Sequence, residues 1–341
     1  MKIALIGFGV VGQGLAQILL DKADDLQARY GFEAQIVAVA TRSRGSLMHP
    51  SGLDTAALLA AAGSGDLAKY SDQPGLARGA SAMTIARESA ADVLIEVSPS
   101  NLTDGQPAIE LCEAAFTSGK HVVLANKGAL LHGYARLNAA ARAAGKHLLF
   151  EASVMAGTPS LRLGMQALAG CTITQARGIV NGTTNYILTQ MEGGLSYADA
   201  LADAQRLGYA ETDPTADVEG WDAAAKAVIL GAALFGKQFA FADMSVRGIS
   251  QLTPADISAA AAAGERWKLI AEVTPAGASV APMRLPITHP LSGVAGATNA
   301  LTITTDLLGD VTLIGKGAGG IQTGFGLLSD LLEIHRTGQA R

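Results

Sequence analysis

The sequence predicts a two-domain α/β protein: a doubly wound parallel sheet first, and an α+β domain second. Three observations carry that expectation. The chain has 341 residues, more than one ordinary core can use and enough for two domains of about 150 residues each. Up to Phe150, short apolar runs alternate with Ala-rich stretches of helical length. After Phe150 the rhythm changes to helical segments interleaved with alternating or β-branched runs.

Taken in order, the first half offers KIALIG (2–7), AQIVAVA (34–40), DVLIEV (92–97), HVVLAN (121–126) and HLLF (147–150). Runs this short and this apolar suit strands buried on both faces, as in a parallel sheet covered by helices. In the second half, residues 183–193, 197–207 and 219–235 are expected helices. CTITQARGIV (171–180), ASVAPMRLP (278–286) and ALTITTD (300–306) alternate or carry β-branched residues, as strands of a mixed sheet do. SAAAAAG (258–264) reads as an Ala-rich helix ended by Gly264.

The bulk numbers exclude several classes. A formal net charge of −5, spread along the whole length, leaves no basic stripe for a phosphate backbone, so nucleic acid is not an expected partner. No window approaches the roughly 20 apolar residues of a membrane span. The start, MKIALIGFG, lacks the long apolar region and cleavage site of a signal peptide. Cys112 and Cys171 are the only cysteines, and no CxxC or histidine cluster accompanies them. Neither a disulfide framework nor a zinc site is therefore expected, which fits a reducing cytoplasm.

GFGVVGQG supplies Gly7, Gly9 and Gly12, with Val10 and Val11 between the last two, directly after the first strand and before a helix. In such a fingerprint the first glycine allows a tight turn, the second lets backbone approach a pyrophosphate, and the third lets helix and strand pack closely. The helix N–H groups then face the anion. The alternative is a glycine-rich turn with no ligand. At the end of the second strand, where an NAD site usually offers a carboxylate to the ribose, the sequence has TRSRG. Arg42, Ser43 and Arg44 offer cationic and hydroxyl donors to a 2′-phosphate, so NADP is the expected cofactor, with NAD as the second candidate. A solvated basic loop is the plain alternative.

DPTADVEGWDAAAKAVIL (213–230) gathers acids ahead of a single lysine. Helix character from Val218 onward makes Asp217 an expected N-cap. Asp222 and Lys226 stand four apart; on a surface they would be an ordinary i,i+4 pair. The apolar AVILGAALF that follows indicates a buried helix, where such a pair belongs at a polar cleft. Glu211, in the preceding loop, can reach the same cleft. Carboxylates with a lysine suit a small substrate carrying an ammonium group and a reacting oxygen, to or from which hydride and proton move.

NGTTNYILTQM, AQRLGYAETDPTADVEGWDAAAKAVIL, GKHVVLANK and FEASVMAGTPS resemble the successive motifs of homoserine dehydrogenases, in the same order and spacing. The resemblance runs from the glycine fingerprint to GKGAGGIQTGFGLLSDLL. It implies a Rossmann-type dinucleotide-binding domain over 1–150, a catalytic and dimerisation domain over 151–316, and a segment, 317–341, returning to the first domain. It also implies interconversion of L-homoserine and L-aspartate 4-semialdehyde, a step of threonine and methionine biosynthesis, by a cytoplasmic homodimer. Glu211 and Asp222 become substrate carboxylates with Asp217 in support, and Lys226 the proton donor. Lys127 matches a second lysine beside substrate oxygen and nicotinamide. Asn181, Gly182 and Thr183 line the substrate site; Gly208, Gly317 and Ser98 touch the cofactor. The loop containing Glu151, Val154, Ala156 and Thr158 would wrap a monovalent cation such as sodium with backbone carbonyls.

Three departures stand out. Ser98 occupies a place where the family more often has threonine. Met155 replaces a residue that is often glycine or small. Arg341 follows soon after the return segment, so the regulatory ACT domain of many bacterial members, with its threonine feedback, is not expected. Two other readings compete: a dehydrogenase of this architecture for another small amino or hydroxy acid, and a catalytically silent NADP-binding sensor.

Overall fold

In this computed structural model residues 1–339 are described. Ala340 and Arg341, the last two positions of the expected return segment, lie outside the described residues. The chain divides into two compact units: Met1–Gly157 together with the segment from Gly319 onward, and Thr158–Ala318.

The first unit holds a seven-stranded sheet: β1 (Lys2–Ile6), β2 (Gln35–Ala40), β3 (Ser46–Met48), β4 (Ala77–Arg78), β5 (Val93–Glu96), β6 (His121–Leu124) and β7 (Leu148–Leu149), in the order β4-β3-β2-β1-β5-β6-β7. The five apolar runs form its parallel part. The short β3 and β4 extend it antiparallel at one edge. Chain order reverses between β1 and β5, so the crevice at their carboxyl ends is the place where such sheets bind ligands. Ile3, Leu5, Ile36, Val39, Val93 and Ile95 are buried here, and the last helix, Gly320–Gln339, adds Leu327, Leu328, Leu331 and Ile334 to the same core. It crosses the helix Val10–Asp21 so closely that a Cβ on Gly14 would lie 2.2 Å from Gly320 O.

The second unit holds β8 (Ile173–Ile179), β9 (Ser245–Val246), β10 (Glu265–Thr274), β11 (Gly277–Pro286), β12 (Thr298–Thr305) and β13 (Gly309–Lys316), in the order β13-β12-β8-β10-β11-β9. All neighbours are antiparallel except β11 and β9. The expected helices appear as Gly182–Glu192, Tyr197–Arg206 and Pro254–Ala262, the last followed by Gly264 in the left-handed region. The expected helix 219–235 begins later, at Trp221. Gly220 breaks it with φ +87°, and a separate one-turn helix, Thr215–Val218, precedes that glycine.

That break corrects the reading of Asp217. It caps nothing: it lies inside the short helix, and Gly220 is the residue before the long one. Its carboxylate instead accepts a hydrogen bond from Asn181 Nδ2 at 2.7 Å.

Candidate active site

Each unit gathers its own set of the sequence-predicted residues. In the first unit they stand after the carboxyl ends of four strands: Gly7 after β1, Arg42–Arg44 after β2, Ser98 after β5 and Lys127 after β6. Gly7 has φ +98°, which a side chain would strain. A Cβ on Gly12 would meet Gly7 O at 2.7 Å, whereas one on Gly9 would meet nothing within 4 Å. Tight turn, close packing and open backbone are the three properties a dinucleotide needs, so these residues fit the cofactor their spacing suggests. Gly9 precedes the helix Val10–Asp21 with no side-chain cap, leaving the amides of Val10, Val11 and Gly12 without a side-chain acceptor.

After β2, Thr41 Oγ1 donates to Gly45 O at 2.8 Å and accepts from Arg44 N at 2.9 Å, closing a small loop. Arg42, Ser43 and Arg44 are exposed on it. Among the described residues no acid pairs with either guanidinium, so both cations are available to a ligand. Lys127 opens the helix Lys127–Ala144, whose cap is Asn126. A cation in a first turn opposes the helix dipole, so this lysine is not there to stabilise its helix.

The second unit assembles the other set around Asn181, which ends the stretch following β8 and caps the helix Gly182–Glu192. Asn181 Oδ1 accepts Thr184 N at 2.9 Å, and the same amide turns its Nδ2 to Asp217 Oδ1 at 2.7 Å and Asp222 Oδ2 at 2.9 Å. Lys226 Nζ donates to Asp222 Oδ2 at 2.7 Å and to Val180 O at 2.6 Å. The side chains of Lys226 and Asp222 are only 10% and 17% exposed, which rules out the ordinary surface pair. Two of the three ammonium protons are thereby used, leaving one to offer. Burial, and then the negative charge of Asp222, hold the Asp217 carboxyl above its usual range, against the opposing bond from Asn181. Thr183 Oγ1 donates to Tyr209 O at 2.6 Å, fixing the loop around Gly208 and its φ of +74°.

Other predicted residues stand apart from this cluster. Glu211 is exposed; its backbone carbonyl accepts Gln205 Nε2 at 3.0 Å, while its carboxylate joins neither Asn181 nor Lys226. In the predicted cation loop Glu151–Ser153 form a turn of 3-10 helix. Met155 and Ala156 follow in the left-handed region, at φ 58° and 55°, both buried. Two such residues in succession are held against their own preference. Thr158 O accepts Ser160 N at 2.7 Å, and Thr158 Oγ1 donates to Lys316 O at 2.9 Å. Among the described residues no three His, Cys, Asp or Glu are grouped to hold a metal ion; ligation by backbone carbonyls is a different arrangement.

Among the buried polar residues that escaped the sequence reading, two stand beside predicted site residues. Asn299, in β12, is wholly buried with neither amide atom hydrogen-bonded, and a Cβ on Gly317 would lie 2.1 Å from its Cγ. Glu96 is wholly buried at the end of β5. An apolar-run reading sees DVLIEV as a strand and cannot say which way Glu96 points.

Two family models match the chain: "Homoserine dehydrogenase, NAD binding domain" over residues 7–151 and "Homoserine dehydrogenase" over residues 159–332. An NAD(+)-dependent homoserine dehydrogenase of Pseudomonas canavaninivorans is 44% identical, over 98% of this chain and 96% of its own. The crystal structure of a putative homoserine dehydrogenase from Archaeoglobus fulgidus superposes with a TM-score of 0.88 at 37% identity, covering 98% of this chain and 99% of that one. A hyperthermophilic archaeal homoserine dehydrogenase in complex with NADPH gives a TM-score of 0.84 at 29% identity, with 98% of both chains covered.

Proposed function

This chain belongs to the homoserine dehydrogenase family, and from that premise we propose an enzyme that prefers NADP and interconverts L-homoserine and L-aspartate 4-semialdehyde. It is an NAD(P)-dependent oxidoreductase acting on a small molecule. A bound nicotinamide supplies the hydride chemistry. The chain's residues supply recognition and the proton.

One observation carries the assignment of roles: buried Asn181 bridges two half-buried carboxylates, and a buried lysine bonds to one of them. Asp222 and Asp217 form the anionic side of the cluster and receive the homoserine ammonium. Asn181 keeps the two acids apart and spends its donors on them. Lys226, anchored by Val180 O and Asp222, presents its remaining proton to the substrate oxygen and takes it back in the reverse direction. Lys127 is the second lysine of the proton path. Gly182 and Thr183 shape the substrate side, Gly208 and Gly317 the cofactor side. Glu211 belongs to the substrate set by resemblance alone, as do the carbonyls of Glu151, Val154, Ala156 and Thr158 to a monovalent cation; the two left-handed residues of that loop support a shape held for a purpose.

The NADP preference rests on two exposed guanidinium groups after β2, where no carboxylate follows the strand. The Pseudomonas relative's name favours NAD instead, and the archaeal NADPH complex favours the phosphorylated cofactor. Initial rates with homoserine and each cofactor decide between them. Homoserine assayed beside other small amino alcohols and hydroxy acids tests the substrate, and a single-turnover measurement separates an enzyme from a silent sensor.

The assembly belongs to the proposal too: a cytoplasmic homodimer joined through the second unit's sheet. β13 is an edge strand, and Ile314 on it is 55% exposed. Ile314→Lys should shift sedimentation toward the monomer; an unchanged dimer removes that strand from the interface. No described helix is long and apolar enough to cross a membrane.

A further inference from the structure

Ser98 and Lys127 hang on one buried carboxyl to which neither recognition nor proton transfer has yet given a role. Glu96 is the last residue of β5 and is 0% exposed. Its Oε1 accepts Ser98 N at 3.1 Å, and its Oε2 is buried with no hydrogen-bond partner among the described residues. From the neighbouring strand end, Asn126 Nδ2 donates to Ser98 O at 3.2 Å and to Ser98 Oγ at 3.4 Å. Asn126 Oδ1 accepts Ala129 N at 3.3 Å, capping the helix that Lys127 opens, and Ser100 Oγ accepts Lys127 N at 2.9 Å. On the other side the Val97–Ser98 peptide is pressed against the first fingerprint glycine, where a Cβ would lie 2.6 Å from Val97 C. The loop therefore cannot slide toward Gly7.

We propose that Glu96 is a positioning residue: its carboxyl fixes the Ser98 backbone and, through Ser98 and Asn126, the start of the helix that carries Lys127. The inference rests on the reading of Ser98 and Lys127 as cofactor and proton-path residues. A neutral acid suits the task, because an ionised carboxylate would bury a charge with one oxygen unpaired. Burial pushes Glu96 up to about 7, opposed by its bond from Ser98 and by the polar groups of Ser98 and Asn126 nearby. The titratable group facing it is the Cys112 thiol, on the helix Ala108–Thr117; burial, then the charges of Glu96 and Glu113, push that thiol up as well.

Glu96→Gln keeps length and acceptor oxygen, and Glu96→Asp withdraws the acceptor by one methylene. With the full chain, Glu96→Asp should raise the cofactor KM, or lower kcat, by about tenfold, the loss of one buried hydrogen bond. Glu96→Gln should stay within roughly threefold of wild type. Hydrogen exchange over residues 97–101 and 126–131 should quicken in Glu96→Asp alone, a readout that holds even if that variant melts early. Because the folded value, about 7, lies above the ordinary 4.5, wild type loses stability from this carboxyl as pH rises from about 4.5 to about 7, a loss that Glu96→Gln does not share. The melting temperature of wild type relative to Glu96→Gln should therefore fall across that window and level off above about pH 7. Wild-type kinetics and exchange in Glu96→Asp, equal damage in both variants, or a melting-temperature difference flat with pH would each overturn the proposal. Lys127→Ala serves as the control: unchanged turnover there would sink the role of Lys127 and leave the exchange test of Glu96 standing.

Discussion

Gly7, Gly9 and Gly12 fit their proposed site by what they lack, whereas Asn181, Asp217, Asp222 and Lys226 form theirs with side chains brought from three separate elements. The first set is contiguous, local and made of backbone. The second exists only once the tertiary fold has closed. A substitution in the first should act through shape and leave catalysis of bound ligands alone; one in the second should act through charge and leave the nucleotide alone. Each expectation below tests that division, from the largest effect to the smallest.

Lys226→Ala should slow homoserine oxidation by about 100-fold or more, the usual worth of general acid–base help. Cofactor affinity, measured by fluorescence titration, should barely move. Unchanged turnover in a folded protein would take Lys226 out of the mechanism.

Asp222→Asn should lower kcat/KM for homoserine at least about 30-fold, since it strips a charge from a partly buried, bonded cluster. Glu211→Gln, exposed and outside the Asn181 network, should cost only about threefold, the scale of a surface charge. If the two variants fall equally, the exposed acid is recruited to the substrate and the cluster is larger than the four side chains.

Replacing Arg42 and Arg44 together by alanine should weaken NADP by about 1.5–3 kcal/mol and NAD far less. Equal loss for both cofactors would refute the 2′-phosphate assignment. Gly9→Ala sharpens the comparison most finely. With nothing within 4 Å of the added methyl, stability should change by less than about 1 kcal/mol, while cofactor affinity should fall about tenfold as the methyl fills the pyrophosphate's approach. A large drop in melting temperature would mean that Gly9, like Gly7, is there for the fold.

How far the sequence reaches follows the same division. The five parallel strands were legible because each is a short, mainly apolar run; four are buried over most of their length, and β7 is a pair of half-buried leucines. β10 was not: Glu265, Arg266, Lys268 and Glu272 interrupt it, yet Lys268 is 0% exposed, 3.6 Å from Glu192. Asp217 looked like a cap because local rules know only the next few amides, whereas its partner Asn181 is 36 residues away. Glu211 was placed by sequence nearness and by the family resemblance, and neither gives its exposed position outside the Asn181 network. Asn299 was invisible for the opposite reason, being one polar residue in a strand with its significance set by Gly317 across the hairpin.

The helix Gly320–Gln339 completes the core of the first unit, so the order of synthesis and the order of folding differ. On the ribosome the dinucleotide-binding sheet emerges first but lacks Leu327, Leu328, Leu331 and Ile334 until the whole second unit has been made. The contiguous second unit, Thr158–Ala318, has every residue it needs beforehand. At roughly 5–20 residues per second, making that intervening unit takes on the order of ten seconds. Throughout that interval the nascent sheet shows an apolar surface that its own last helix will cover. A chain that stalls before Leu327 therefore becomes a client for chaperones with its fingerprint already made.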